Sequence, residues 1–418
     1  MTWKDVDRLV SEQKYEAASD AVGAILERAR DNQDAKEWTR ALVEATKLRM
    51  GLHGYETAVR FLMEEPWPDD AVSKAVLELY YAHSLVTYVR VYSWEIGQRE
   101  RVETSGELDL KNWDQEQIIE AADRAFASVW QRRAEWGSES LGELARYIQQ
   151  NNFPPRIRGT LRDAVSYLWV EMLAESSLWS PTESNDVFRL DSEALILGDP
   201  KHSAGIDLGD PDVHPLAKAG AILDDLEGWH RASDRPEAAL EARLERLRRF
   251  HGAFDNDQDR FAIREHLEDV QAGFDPSLEW WSMGQAILAE FIRSEDDDDA
   301  LIRAREVAVA GRDRHPESAG GQRCAHVVAA IESPHYEMAM MANDGAGRRS
   351  IRVDHRNFDA IYFRAYSYDL VKFVKSSEDY NLLPHYRDAE KIMRGSPAAE
   401  WSVALPATPD YRSHATFM

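Results

Sequence analysis

The chain is poor in cysteine and in long apolar stretches. Among its 418 residues there is one cysteine, Cys324, so no disulfide can form within the chain. No apolar run approaches the roughly 18–20 residues that a membrane-spanning helix needs. The first residues, 1–5, lack the charged-then-apolar pattern of a secretion signal, which taken alone predicts a cytoplasmic location.

Short motifs that mark common enzyme chemistry are also missing. The sequence has no Gly-rich phosphate loop followed by Lys, no His-Glu-x-x-His, no Cys-x-x-Cys pair and no Gly-x-Ser-x-Gly. Cys324 falls on the apolar stripe of a predicted helix, where cysteine usually acts as a small hydrophobic residue. His266 and His326 stand alone on predicted helices, and we interpret them as packing or surface residues. We therefore expect no catalytic residue, no cofactor and no bound metal.

Two acidic clusters are open to a second interpretation. Asp207, Asp210, Asp212 and His214 offer the clustered ligands that Ca²⁺ prefers, but their spacing matches no calcium loop and is typical of a solvated turn. The run 296–299 consists of four aspartates, and it precedes a predicted helix, where carboxylates are stabilised by the positive end of the helix dipole. A pair of carboxylates for glycoside hydrolysis cannot be selected from 75 acidic residues without a cleft.

Negative charge dominates and is unevenly distributed. Lys and Arg number 50 against 75 Asp and Glu, for a formal charge of −25. Residues 338–418 carry 11 basic and 10 acidic residues, whereas the preceding 337 carry 39 and 65. Because phosphate binding needs clustered Lys and Arg, we expect no nucleic-acid partner. The step in charge coincides with a change in hydrophobic period and indicates a boundary near residue 333.

Before that boundary, most of the chain shows the apolar period of helices. Small residues recur where neighbouring helices would cross, and helix pairs stacked in this way build solenoids of the tetratricopeptide type, although the strict consensus of that repeat is absent. Thr160 is the predicted N-cap of one helix, with Asp163 three residues on. The predicted helices cover residues 2–12, 15–30, 34–52, 55–65, 69–96, 114–136, 141–150, 160–173, 216–233, 236–250, 257–273, 277–293, 300–312 and 320–331.

Two stretches depart from the helical pattern. Residues 179–215 contain four prolines and no clear period, which predicts a long irregular excursion in which 186–190 pairs briefly as a strand. Alternating segments at 350–354 and 360–368, the second rich in aromatic and β-branched residues, predict strands. They follow a segment at 336–341 that is ended by a predicted turn at 343–347. The sequence therefore predicts a mainly α fold. It consists of a helical repeat-like region at 1–178, the excursion at 179–215, a second helical region at 216–333, and a small, incomplete antiparallel β-sandwich at 334–418.

The order of several short stretches resembles the N-terminal part of bacterial alpha-2-macroglobulin-like proteins. These are large secreted proteins that carry a long helical region before their macroglobulin domains. The resemblance rests on residues 74–81, 112–114, 160–163, Cys324 with 331–334, 355–357, 362–366, 401–406 and 410–414.

The resemblance implies an extracellular or cell-envelope location and a role in a protease trap, in which a protease cuts a bait segment and the protein rearranges around it. Some members of the family carry a thioester built from Cys-x-Glu-Gln. Cys324 is followed by Ala-His-Val, so it cannot form that thioester. Relatives continue into further strands at about the point where this sequence stops, so we expect a partial macroglobulin-type domain.

The leading hypothesis is a non-catalytic scaffold that binds protein partners, with the concave face of the stacked helices as the contact surface. By itself, such a chain would not hinder proteases. A second hypothesis is a stand-alone, cytoplasmic adaptor that binds peptides or proteins. A third is an all-helical enzyme with its site near residues 179–215, which a deep pocket with converging His and carboxylates would favour. The sequence predicts no oligomeric state.

Overall fold

The computed structural model of the chain describes residues 1–101, 109–198, 203–341, 350–376 and 384–418. Within these residues the protein is mainly helical, with small antiparallel sheets in its last part. Contacts divide the chain into two units, Met1–Ile287 and Leu288–Met418. The predicted boundary near residue 333 falls inside the second unit, between its last long helix and its first strand.

The first unit is built from α-helices that range from 4 to 21 residues in length. Three short 3₁₀ turns lie at Leu110–Asn112, Ser176–Leu178 and Val187–Arg189. The helices are α1 (Trp3–Ser11), α2 (Tyr15–Asp31), α3 (Ala35–Gly51), α4 (Tyr55–Glu64), α5 (Ala71–Val91), α6 (Ser93–Ile96), α7 (Gln115–Gln131), α8 (Arg133–Trp136), α9 (Leu161–Leu173), α10 (Pro181–Asp186), α11 (Ser192–Leu197), α12 (Pro215–Ala232), α13 (Pro236–Ala253) and α14 (Asp257–Gly273). Helix α15 (Trp281–Arg293) crosses the division between the units.

The long helices of this unit pack mainly against their neighbours in the sequence. From α1 to α5 each helix contacts the next, and the series continues through α7, α9, α12, α13 and α14. Helix α5 contacts α3, α4 and α7, and its apolar residues are buried on more than one side, as expected for a helix with neighbours on several faces. The core of the unit runs continuously from Val6 to Ala242.

One type of turn recurs between the helices. Gln13, Gln33, His53 and Asp234 each adopt a positive φ of 52–61°, directly after α1, α2, α3 and α12. In each case the next residue donates its backbone N–H to a carbonyl five residues earlier, as in Lys14 to Leu9 at 2.9 Å. This is the Schellman motif, which satisfies the last carbonyls of a helix while reversing the chain.

Two sequence predictions in this unit are wrong. Residues 141–150 form turns and not a helix, because their start is tied to the chain before α9: the backbone of Leu141 donates to Gly159 at 2.9 Å and that of Leu161 donates to Glu139 at 2.8 Å. Residues 186–190 form no strand, because the Ser180–Glu183 capping box starts α10 and the chain continues as a 3₁₀ turn.

The predicted irregular excursion at 179–215 is likewise corrected in part. It contains α10 and α11, and Asp191 caps α11 by accepting from the Ala194 amide at 3.1 Å. Each of these helices has six residues, which is too short for a 3.6-residue period to be seen in the sequence. The predicted single helices at 69–96 and 114–136 are each divided into a long helix and one further turn, α5 with α6 and α7 with α8.

The described part of the second unit combines helices with two small sheets. Its helices are α16 (Ala300–Arg314), α17 (Ala319–Glu332), α18 (Leu370–Ser376) and α19 (Tyr386–Met393), and its strands are β1 (His335–Met340), β2 (Ile351–Arg356), β3 (Ala360–Ala365), β4 (Ala399–Ala404) and β5 (His414–Phe417). One antiparallel sheet has the order β1-β2-β5, and β3 pairs antiparallel with β4.

The strands predicted near 350–354 and 360–368 are confirmed as β2 and β3, and the segment 336–341 forms most of β1. The turn predicted at 343–347 lies outside the described residues. Asn357 joins the end of α17 to the sheets, because its side-chain amide donates to the carbonyl of Ile331 at 2.7 Å. Among the described helices, none is both long enough and apolar enough to cross a lipid bilayer.

Candidate functional site

Cys324 lies in the interior of α17, as its position on an apolar stripe predicts. The side chain is fully buried, and burial raises the pKa of the Cys324 thiol from 9.0 to about 12. A thiol in this environment stays protonated near neutral pH and is a poor nucleophile. The prediction that Cys324 is a packing residue is consistent with this burial.

The two isolated histidines occupy different surroundings. His326 is exposed on α17. His266, on α14, has its Nε2 3.0 Å from an Nη of Arg243. Burial, together with the positive charge of Arg243, lowers the pKa of His266 to about 4. A neutral imidazole can accept from this guanidinium, so the observed contact gives His266 a structural role.

The residues of the first acidic cluster serve local turns. Asp207 accepts from the amide of Gly209 at 2.9 Å, and Asp210 accepts from that of Asp212 at 2.9 Å. His214 Nδ1 accepts from the Leu216 amide at 3.1 Å and caps α12. Within the described residues, no group of three or more His, Cys, Asp and Glu side chains is arranged to hold a metal ion.

The run 296–299 lies before α16, where the sequence places it. Asp299 occupies the N-cap position but makes no side-chain cap hydrogen bond. Its carboxylate accepts from Arg303 at 3.0 Å, and Asp297 and Glu295 pair with the same guanidinium at 3.1 and 2.8 Å. Three carboxylates therefore converge on the half-buried Arg303 and form an ion-pair cluster at the start of α16.

A cavity of about 670 Å³ opens in the first unit where α7, α8, α9 and α12 meet residues 203–209. We name it the Arg–Trp cavity after its two arginines and three tryptophans. Its lining residues are Ala127, Trp130, Gln131, Arg133, Arg162, Trp169, Ser203, Ala204, Ile206, Asp207, Leu208, Gly209, Ala221, Asp224, Asp225, Gly228 and Trp229.

The two arginines of the Arg–Trp cavity share one carboxylate. Arg133 binds Asp225 through two nitrogens, at 3.1 and 2.9 Å, and Arg162 donates to the same carboxylate. Each guanidinium also lies over an indole: Arg133 is 3.3 Å from the ring centre of Trp130, and Arg162 is 4.7 Å from that of Trp229. Such contacts combine charge with aromatic stacking, so the cavity wall is preorganised.

The third tryptophan is fixed by a buried ion pair behind the wall. Trp169 donates its indole N–H to Asp123 at 2.7 Å, and Lys218 donates to the other oxygen of Asp123 at 2.8 Å. Asp224 pairs with Arg246 and accepts from the hydroxyl of Ser203. These contacts satisfy the side chains of Asp123 and Asp224 within the protein.

The third hypothesis required a pocket near residues 179–215 with converging carboxylates and histidine. The Arg–Trp cavity is lined by Asp207 from that range and by Asp224 and Asp225, but by no histidine of the described residues. Sequence reasoning missed its arginines and tryptophans. A signal was present: residues 221, 225 and 228 of α12 share one helical face, as do Arg162 and Trp169, seven residues apart, on α9.

A second candidate surface lies on the three-stranded sheet of the second unit. Alternation places Tyr336, Met338 and Met340 of β1 on the same side as Val353 and His355 of β2, which they oppose in the register. We name this side the β1 face. Val353 and His355 are completely buried, whereas Tyr336, Met338 and Met340 are 57%, 51% and 67% exposed. On this side, Val353 and His355 of the central strand β2 are therefore buried, while the side chains of the edge strand β1 are exposed.

The same unit leaves other large apolar side chains at its surface. In the described part of 334–418, the buried residues are Val353, His355, Leu405 and Thr408. The β3–β4 pair stacks Phe363 on Trp401 with ring centres 5.0 Å apart, yet Trp401 remains 44% exposed. Contiguous exposed apolar surface of this kind typically marks a contact site for another molecule.

No protein-family model, no curated protein and no solved structure matches this chain. The resemblance to alpha-2-macroglobulin-like proteins therefore rests on the order of landmarks in the sequence and stays a prediction.

Proposed function

We propose that this protein is a non-catalytic interaction module whose second unit binds a protein partner across the β1 face. The observation that carries the proposal is the contrast between buried Val353 and exposed Met338, which oppose each other in neighbouring strands. On this side of the sheet, the central strand is buried, whereas the apolar side chains of the edge strand β1 are exposed. The apolar packing of the sheet is therefore incomplete. A partner that covers β1 would bury this surface.

The partner's chemistry follows from the surface that it would cover. Strand β1 is an edge strand, so one row of its backbone N–H and C=O groups is free of strand pairing among the described residues. An added strand would pair with these groups, and its side chains would cover Tyr336, Met338 and Met340. This supports a partner that supplies an extended segment with apolar residues at alternate positions.

Within this proposal, the chain is the helical scaffold and partial macroglobulin-type domain of an envelope or secreted protease-trap protein. That assignment is supported by the sequence resemblance and by the position of two small sheets after a long helical region. It predicts that the covering segment comes from another macroglobulin-type β domain. It also predicts that the chain alone does not hinder proteases.

A stand-alone peptide-binding adaptor of the tetratricopeptide-like type is the second candidate. It is favoured by the three Schellman turns at Gln13, Gln33 and His53, which are spaced by 20 residues. These turns end three successive helices at equal intervals, as expected for regularly stacked antiparallel helices. In that case the partner would contact the helices of the first unit and leave the β1 face bare.

Site-specific photo-crosslinking in the native host distinguishes the two candidates. A benzophenone amino acid replaces Met338 or Met340, and matched controls carry it at Arg352 of β2 or Ala415 of β5, on the opposite side of the sheet and away from the β1 edge. We expect one protein to be crosslinked from both methionine positions and not from the controls. Equal products from both sides of the sheet, or none from the β1 face, would contradict the proposal.

A further inference from the structure

Two residues that line the Arg–Trp cavity carry buried hydrogen-bond donors that the protein leaves without acceptors. Within the described residues, Nε of Arg162 and Nε1 of Trp130 have no hydrogen-bond partner, and both atoms are shielded from solvent. Arg162 is only 8% exposed. Buried N–H groups are nearly always paired, and leaving a charged one unpaired is costly. A ligand oxygen that reached Nε of Arg162 at the cavity wall would satisfy this charged donor.

The charge balance of the cavity favours an anion. Arg133, Arg162 and Asp225 form a triad with one positive charge in excess, because two guanidinium groups share one carboxylate. Burial and the nearby charge of Arg133 lower the pKa of Arg162, while Asp225 and Asp163 raise it, with a net lowering. Asp163 is itself engaged by His230 at 2.8 Å and by the Thr160 amide at 2.9 Å. The positive charge of the Arg162 guanidinium is thus only partly balanced by the neighbouring carboxylates. An anion beside it would be stabilised.

The other two carboxylates of the lining do not neutralise this triad. Asp224 is engaged by Arg246 and Ser203 on its own side of the cavity. Asp207 is exposed and holds the amide of Gly209 at 2.9 Å. The positive charge of the triad therefore remains available to a ligand.

The shape and walls of the cavity favour a flat, partly apolar molecule. Its volume of about 670 Å³ falls within the range of roughly 300–1,000 Å³ of small-molecule sites. Trp130, Trp169 and Trp229 line it, and indole rings bind other aromatic rings by offset or edge-on stacking. An arginine flanked by aromatic walls binds a carboxylate with geometric specificity.

We propose that the Arg–Trp cavity binds a small aromatic carboxylate, with the carboxylate on Arg162 and the ring among the three tryptophans. This site is separate from the β1 face and does not depend on the proposed interaction function.

Calorimetric titration of the full chain with indole-3-carboxylate tests the proposal. We expect saturable binding at one site, at least about tenfold tighter than for the neutral indole-3-carboxamide, because the amide loses the charge-assisted hydrogen bond. Inorganic phosphate should bind more weakly than indole-3-carboxylate, because it lacks the ring. Absence of saturable binding at millimolar indole-3-carboxylate, or equal affinity for acid and amide, would overturn the proposal.

Three variants locate the binding. Arg162→Gln should weaken indole-3-carboxylate binding by about tenfold or more. The matched control is Arg235→Gln: Arg235 lies 4.5 Å from the ring centre of the same Trp229 but does not line the cavity, so affinity should change by less than about twofold. Asp225→Asn removes the competing carboxylate and should tighten binding. If Arg162→Gln does not fold, Asp225→Asn decides: tighter binding supports the site, and unchanged or weaker binding overturns it.

Discussion

Glu245 on α13 is a buried carboxylate held by three arginines. It is 6% exposed, and it lies 2.9 Å from an Nη of Arg158 and 2.7 Å from Nε of Arg249, with Arg248 as the third partner. Burial raises the pKa of Glu245, but Arg248, Arg158 and Arg249 lower it more, so that the pKa falls from 4.5 to about 2. The folded protein therefore binds this proton less readily than the unfolded chain.

The consequence is a loss of stability in acid. A carboxylate whose pKa is depressed by folding stabilises the protein fully above its unfolded pKa, and this stabilisation is lost as the pH falls towards the folded value. A fall in pKa from 4.5 to about 2 corresponds to about 3 kcal/mol. Of this, about 1 kcal/mol is already lost at about pH 3.5.

Urea unfolding followed by circular dichroism, near neutrality and at about pH 3.5, measures the effect. Glu245→Gln removes the titrating group. Between the two conditions, the free energy of unfolding of this variant should therefore fall by about 1 kcal/mol less than that of the unmodified protein. Glu27→Gln, at an exposed position on α2, is the matched control and should behave like the unmodified protein. The reasoning is refuted if Glu245→Gln loses as much stability in acid as the control.

Two further predictions concern buried side chains. Asp163→Ala should cost about 3 kcal/mol, because Asp163 lies 2.8 Å from Nε2 of buried His230 and also accepts from the Thr160 amide at 2.9 Å. Thr160→Ala removes only the cap and should cost about 1 kcal/mol, so equal losses in urea unfolding would contradict this role of Asp163. Cys324 should react with an aromatic disulfide reagent only after unfolding, since its side chain is fully buried and burial raises its thiol pKa to about 12. Rapid labelling of the native protein would show that α17 is not packed as described.

Local sequence signals predicted the long helices before residue 333 and the strands β2 and β3, but not the short helices α10, α11, α18 and α19. The Thr160–Asp163 pair is a capping box in the structure, as its spacing predicts, because both partners lie within one helical turn. Strands β2 and β3 follow from alternation over about six residues. The helix predicted at 141–150 fails because backbone contacts with residues 159–161, distant in sequence, override local propensity.

Features that depend on long-range packing could not be predicted in the same way. The pairing of β2 with β5 joins Val353 to Thr416, and nothing local in the sequence specifies that partner. The Arg–Trp cavity brings α7, α9 and α12 together with residues 203–209, so its chemistry arises only after the helices pack. The exposed β1 face is similarly invisible in the sequence, because alternation shows which residues share a side but not whether that side is covered.

Hydrogen exchange of β1 tests the central claim most directly. The measurement compares residues 335–340 in the purified chain with the same residues in the assembly isolated from the native host. If a partner covers the β1 face, exchange of these amides should be slower in the assembly, while helices α1 to α4 should exchange equally in both samples. Unchanged exchange at β1, together with slower exchange on α1 to α4, would contradict the account and favour a partner bound to the helices.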